Sequence, residues 1–225
     1  MMADALHTFL PSPYRHLEVS EIALLADRLD PVDGKGAFSP KTVGEVFVLD
    51  FYPGLDLIRL TDPDWLPQGV CIYLIQGRDD ELYRLKGTSP PIHEVNAKVP
   101  LKLTEALAPG YLRFFCFFVH GEEGPFHICA DTADPLLPSA DTGVAEHVEP
   151  PRVYGADPNG KFRLSASVFY SNAVFNADFL VAPTGMIEML DDRPVIVGLP
   201  AQIAAPLIVT NSSKPDQSKL RKRRS

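Results

Sequence analysis

Tyr111-Leu-Arg-Phe-Phe-Cys-Phe-Phe-Val119 is the stretch on which the reading of this chain turns. Split at a period of two, Leu112, Phe114, Cys116 and Phe118 fall on one face. Tyr111, Phe115, Phe117 and Val119 fall on the other, and Arg113 is the only charge. A strand apolar on both faces has to be covered on both. The alternation predicts a central strand at 111–119, packed on one side by helices and on the other by a second β region or a partner. His120-Gly-Glu-Glu-Gly-Pro125 reads as a turn after it, and Phe126–Cys129 as the returning arm of a hairpin.

The flanking sequence supports a β-dominated α+β fold with mostly antiparallel short strands, sandwich- or barrel-like, and one or two short helices. Glu45–Phe51, Leu55–Leu60, Val70–Gln76 and Glu81–Lys86 each alternate as strands, separated by Tyr-Pro-Gly, Asp-Pro-Asp and Gly-Arg-Asp-Asp turns. Lys161–Tyr170 and Asn172–Val181 form a second strand pair with its bend at Ser171-Asn172. Met186–Leu190 reads as a short strand, Asp191-Asp-Arg-Pro194 as a turn, and Val195–Val197 as a return. Residues 203–210 read as a last edge strand. Helical spacing appears at Glu18–Asp30, with Ile22, Leu25 and Leu29 on one stripe, Ser20 as cap and Pro31 as stop. Leu101–Leu107 reads as a short helix ended by Pro109-Gly110.

This gives an N-terminal segment 1–44 carrying the helix, and a single β-rich core 45–210. An acidic, proline-rich loop, 131–160, interrupts that core. It ends in a basic tail, 211–225, with nothing to bury. The 22 prolines among 225 residues are about twice the usual ~5% and favour short elements. An apolar fraction of 45% and a charged fraction of 22% are those of an ordinary soluble protein.

The net charge of −8 is unevenly spread. Residues 211–225 hold six basic side chains against Asp216, a surplus of five, which leaves −13 on the rest. An acidic body repels nucleic acid, so any such contact falls to the tail, through Lys219, Arg221, Lys222, Arg223 and Arg224. The three cysteines show no Cys-x-x-Cys pair and fit a reducing, cytoplasmic setting. Nothing approaches the ~18 apolar residues of a membrane span.

Four constellations bear on chemistry. His120, His127, Cys129 and Asp131, with Glu122 and Glu123 in the turn, hold zinc-type ligands, but their spacing matches no standard zinc pattern. The bland alternative is strand-end histidines and a core cysteine. Cys116 and Cys71 sit in apolar runs that blunt a thiol, and no Gly-x-Ser-x-Gly elbow occurs. Gly34-Lys-Gly36 and Gly160-Lys161 are turns rather than Walker loops, and no cofactor is implied. Asp178 and Glu188 lie on two strands able to pair as neighbours, with Asp191-Asp192 in the turn that follows. Paired carboxylates suit acid–base work or a divalent cation, or are simply solvated or capping turn groups. The sequence therefore supports a non-enzymatic binding or accessory protein of an assembly, through a protein partner or self-association. The alternative is a hydrolase or metal-dependent enzyme built on the His120–Asp131 hairpin.

Overall fold

The computed structural model describes residues 15–33, 38–65, 70–77, 81–134, 137, 143–199 and 207–208. In chain order these form β1 (Arg15–His16), α1 (Val19–Asp33), β2 (Val43–Val48), β3 (Asp56–Thr61), β4 (Val70–Gln76) and β5 (Leu82–Leu85). Then come α2 (Pro90–Lys98), α3 (Ala108–Phe118), β6 (His120–Gly121), β7 (Gly124–Pro125) and β8 (His127–Ile128). The chain continues with β9 (Arg152–Ala156), β10 (Phe162–Tyr170), β11 (Ala173–Val181), β12 (Ile187–Ile196) and β13 (Leu207–Ile208). The fold is a β-dominated α+β arrangement with antiparallel sheets, as the alternation predicts. The basic tail, the Gly34-Lys-Gly36 turn and all of 203–210 except β13 lie outside the described residues.

The first sheet runs β1-β2-β3-β4, and the far edge of β4 is shared. β5 pairs antiparallel with Tyr73–Gln76, and β13 pairs parallel with Val70–Cys71. β1, Arg15–His16, thus joins this sheet at the edge of β2. The second sheet runs β12-β11-β10, with β8 and β9 both on the other edge of β10. Among the described residues, β12 is therefore a terminal strand with one free edge. β6 and β7 form a two-stranded ribbon of their own.

The 111–119 stretch is not a strand. It is the body of α3, and the correction has a physical reason. Pro109 and Gly110, read as a stop, lie in the first turn of the helix, where a proline's missing N–H costs nothing. A run apolar at nearly every position fits a period of 3.6 as well as one of 2. A helix apolar all round is a buried one. Tyr111, Leu112, Phe114, Cys116, Phe117 and Phe118 are all buried. Their cluster takes in Phe47, Leu57, Tyr73, Ile75 and Leu85 from the first sheet. It also takes in Leu164, Ala166, Val168, Ala177, Phe179 and Val181 from the second. Several of its ring pairs meet edge to face: Tyr73 lies 5.0 Å from Phe118 and Phe51 lies 5.3 Å from Tyr111, centroid to centroid. Each buried Phe contributes roughly 1.5–3 kcal/mol of transfer free energy, with a further increment for such edge-to-face pairs.

Other differences follow the same pattern. Leu101–Leu107 is irregular, and the helix begins where it was read to end. With no strand at 111–119 to pair with, 126–129 does not return as its hairpin arm. His127–Ile128 pairs instead with Val168–Phe169 of β10. α2 has Pro90 and Pro91 in its first turn and buries Ile92 and Val95. α1 starts two residues earlier than a Ser20 cap implies. The Glu21 carboxylate accepts the backbone N–H of Glu18 at 2.8 Å, half of a capping box. α1 also passes Pro31 and ends at Asp33. It packs Leu25 and Leu29 on the opposite face of the first sheet, against Val46, Ile58, Leu60, Ile72 and Leu74.

The stretch read as a loop at 131–160 carries a strand, β9. It also carries a short 3₁₀ turn, Val144–His147. Val144 and Val148 are buried with Cys129, Phe169, Val174 and Leu199 against the outer face of the second sheet. Finally, the Asp191-Asp-Arg-Pro194 turn does not exist. β12 runs straight through it, with register shifts against β11 at Val174/Phe175 and Asp178/Phe179. A terminal strand tolerates proline and bulges that a central one does not.

Candidate functional site on the second sheet

β10 and β11 are joined by the two-residue turn Ser171-Asn172, with Ser171 at φ 53°, the left-handed conformation of a tight hairpin. That turn sets the register Leu164↔Phe179, Ser165↔Asp178 and Ser167↔Asn176. Leu164, Ala166, Ala177 and Phe179 thereby face the core. Arg163, Ser165, Ser167, Asn176 and Asp178 face away from it. β12 then lays Asp191 directly opposite Asp178, and Arg193 opposite Asn176.

The outward face forms a concavity of about 400 Å³. Tyr154, Arg163, Ser165, Asp178, Asp191 and Arg193 are among its lining residues, and Glu149 stands at one side. Arg163 Nη2 donates to Asp178 Oδ2 at 3.0 Å. Arg193 Nε stands 4.0 Å from Asp191 Oδ2, beyond hydrogen-bond reach. The Tyr154 and Ser165 hydroxyls are 3.1 Å apart. At the inner end, Ser167 Oγ donates to Asn176 Oδ1 at 2.6 Å and accepts the Glu149 N–H at 2.8 Å. The floor is thus held by its own hydrogen bonds, and the charged groups stand on it. Of the carboxylates singled out in sequence, Asp178 and Asp191 meet here. Asp192 lies opposite Ala177, and Glu188 opposite Leu180.

The His120–Asp131 residues do not form one site. His120 Nε2 is 3.1 Å from the Phe117 carbonyl oxygen. Burial pushes its pKa below the ordinary imidazole value, against that hydrogen bond. Glu122 and Glu123 are exposed. His127 is buried, with Nε2 2.9 Å from both oxygens of Asp134, whose side chain is fully buried. Asp134 also accepts the Ala130 N–H at 2.8 Å. Cys129 is buried, and burial pushes its thiol up to about 12. Asp131 is exposed and accepts the Ala133 N–H at 2.7 Å. Among the described residues, no three or more His, Cys, Asp or Glu side chains gather closely enough to hold a metal ion. Burial raises the Cys116 thiol to about 12 and the Cys71 thiol above its ordinary value. Gly160 takes φ 76° in the β9–β10 turn, and Asp157 Oδ1 accepts the N–H groups of Asn159 and Lys161 at 2.8 Å each. A phosphate would find those donors already occupied.

Two groups were not singled out from sequence. Asp134 sits in a Pro-rich stretch without periodicity, so nothing there marks it as the partner of a histidine seven residues away. Arg163, Ser165, Asn176 and Tyr154 have a signal in hindsight. Polar residues alternate with the apolar ones along both arms of one hairpin. The chain matches no known family model, no curated protein and no solved structure.

Proposed function

We propose that the protein is a non-catalytic binding component of an assembly, and that it meets a protein partner with the open side of its second sheet. One observation carries the reading: β12 is a terminal strand, exposed from Glu188 to Pro194, with Met189 and Leu190 each 45% exposed. Met186, at its entrance, is exposed as well. Such an edge has backbone donors and acceptors directed outward, the requirement for strand addition. Apolar side chains beside it supply the desolvated contact that an interface core needs.

The aromatic run is excluded as the binding face. Phe114 and Phe118 are fully buried and Phe117 nearly so, inside a cluster that draws on both sheets. Cys116 and Cys129 are buried, Cys71 is half-buried with its thiol raised by desolvation, and His127 is engaged by Asp134, which supports binding over nucleophilic chemistry. The test is co-purification of the tagged chain from its native cells beside a Leu190→Asp variant. The reading expects a stoichiometric protein partner with the wild type and its loss with the variant. No partner, or equal retention by both, contradicts it.

A further inference from the structure

We propose that the chain's own basic segment, Lys214–Arg224, docks on the outer face of the second sheet, its cations meeting Glu149, Asp178 and Asp191. The inference shares its surface with the proposed function but concerns a different occupant.

Three observations support it. The first is an electrostatic cost built into the face. Asp178 and Asp191 are directly opposite across β11 and β12, and like charges in such a pair destabilise a sheet. Arg163 answers Asp178 at 3.0 Å. Arg193 stays 4.0 Å from Asp191, so the Asp191 carboxylate keeps room for a further donor. A guanidinium or ammonium between the two aspartates relieves the opposition.

The second is shape. These carboxylates open into a concavity of about 400 Å³ with the exposed Tyr154 ring on its wall. That volume admits the end of a lysine or arginine side chain. Arg152 already stacks over Tyr154, its guanidinium carbon 5.2 Å from the ring centre, so the surroundings accept cations.

The third is complementarity and reach. The segment 211–225 carries a surplus of five positive charges, and the rest of the chain carries −13. The sixteen peptide units from Ile208, in β13, to Arg224 span about 55 Å when extended. A chain of this size has a radius of gyration of about 17 Å. The segment therefore reaches across the molecule to the second sheet. In docking there it lies beside β12, where a partner strand would add, and competes with it.

Carbodiimide coupling of the full-length chain at low ionic strength tests this, with mass spectrometry reading which lysine is joined to which carboxylate. Mixing isotopically light and heavy chains separates contacts within one chain from those between two. Lys41–Asp64, at 3.0 Å, and Lys98–Glu81, at 3.4 Å, serve as reference couplings. The expected result is Lys214, Lys219 or Lys222 joined to Glu149, Asp178 or Asp191 within one chain. The yield should fall about fivefold in 0.5 M salt, as screening requires, and equally in an Asp178→Asn, Asp191→Asn variant. The inference is overturned if the reference pairs couple while the basic lysines couple elsewhere or not at all. It is also overturned if their yield is unmoved by the two substitutions. Either failure leaves the partner reading standing, and loss of that reading leaves these couplings in place.

Discussion

The Tyr111 hydroxyl donates a 2.8 Å hydrogen bond to the carbonyl oxygen of Gly185, joining the buried aromatic helix to the turn that launches β12. Asn96 Nδ2 donates to the same hydroxyl at 2.9 Å, and Asn96 Oδ1 accepts from Tyr52. One buried chain of polar groups thus links the β2–β3 turn, α2, α3 and the β11–β12 turn. Burial raises the pKa of both tyrosines, Tyr111 to about 12, so each keeps its proton at neutral pH. Gly185 has φ 80°, and a Cβ there would overlap Asn96 and Tyr111. Gly185→Ala is expected to destabilise the fold by about 2–4 kcal/mol, combining backbone strain with the clash. Tyr111→Phe, which orphans the Gly185 carbonyl and the Asn96 amide, should cost about 1–3 kcal/mol. Urea unfolding followed by circular dichroism measures both, and a change under about 0.5 kcal/mol for Gly185→Ala would contradict the placement of the turn.

The helix at 108–118 predicts an unequal response along the aromatic run. Phe114→Ala and Phe118→Ala should each cost about 3–5 kcal/mol, the range for deleting a fully buried ring. Phe115→Ala, at a half-buried position, should cost visibly less. A strand with alternating faces would instead set Phe115 and Phe117 together, so equal losses for those two would argue against the helix.

Asp134→Ala is expected to destabilise by about 3–5 kcal/mol, because it leaves His127 and the Ala130 N–H without their buried partner. Asp134→Asn, which keeps an acceptor of the same shape, should recover part of that loss. Thermal unfolding of the two variants at one pH distinguishes them.

Asp62 gives the stability a specific acid limb. Burial alone would raise its carboxyl. Hydrogen bonds from Ser39 Oγ at 2.6 Å, Thr42 Oγ1 at 2.7 Å and the Asp64 N–H at 2.8 Å hold it below the ordinary aspartate value. A lowered folded-state pKa means that the unfolded chain takes up the proton first as pH falls. The contribution is complete above the ordinary value of ~3.9 and disappears as pH drops through the lower folded value. Asp62→Asn should therefore reduce stability at pH 7 and flatten its decline as pH falls below about 4. Denaturant melts across that window check the sign.

The thiols should be silent until the fold opens. With Cys116 and Cys129 buried and raised to about 12, thiolate at pH 8 is scarce as well as shielded. Ellman's reagent should leave both unreacted in the native chain and react with all three cysteines in guanidinium. Rapid native reaction at Cys129 would contradict its placement beneath the second sheet.

How far these features were legible in the sequence depended on what each residue had to contrast with. β2 to β5 and the β10–β11 hairpin show themselves because polar residues alternate with apolar ones, as Arg163, Ser165 and Ser167 do with Leu164, Ala166 and Val168. The 111–119 run has almost no polar residue to set a phase, so its period could not be read. The decision fell to Pro109-Gly110, which serves a helix start as readily as a stop. α2 was announced by Ser89-Pro-Pro91, a start signal easily taken for a turn. Asp178 was recognisable as a strand carboxylate, but its expected partner was Glu188, with Asp191 in a turn. The meeting of Asp178 with Asp191 depended on β12 running on through Asp191-Asp-Arg-Pro194, which only a terminal strand allows. Asp134 and His127 come together through the fold of an irregular stretch, where no periodicity guides the reading.

The most direct measurement of where this protein works is hydrogen–deuterium exchange, on the chain alone and on the chain in its co-purified complex. The account predicts added protection over Ile187–Ile196 and the facing residues of β11, with Ala108–Phe118 strongly protected and unchanged in both states. Protection gained in α3 or along the first sheet, with β12 left unaltered, would contradict it.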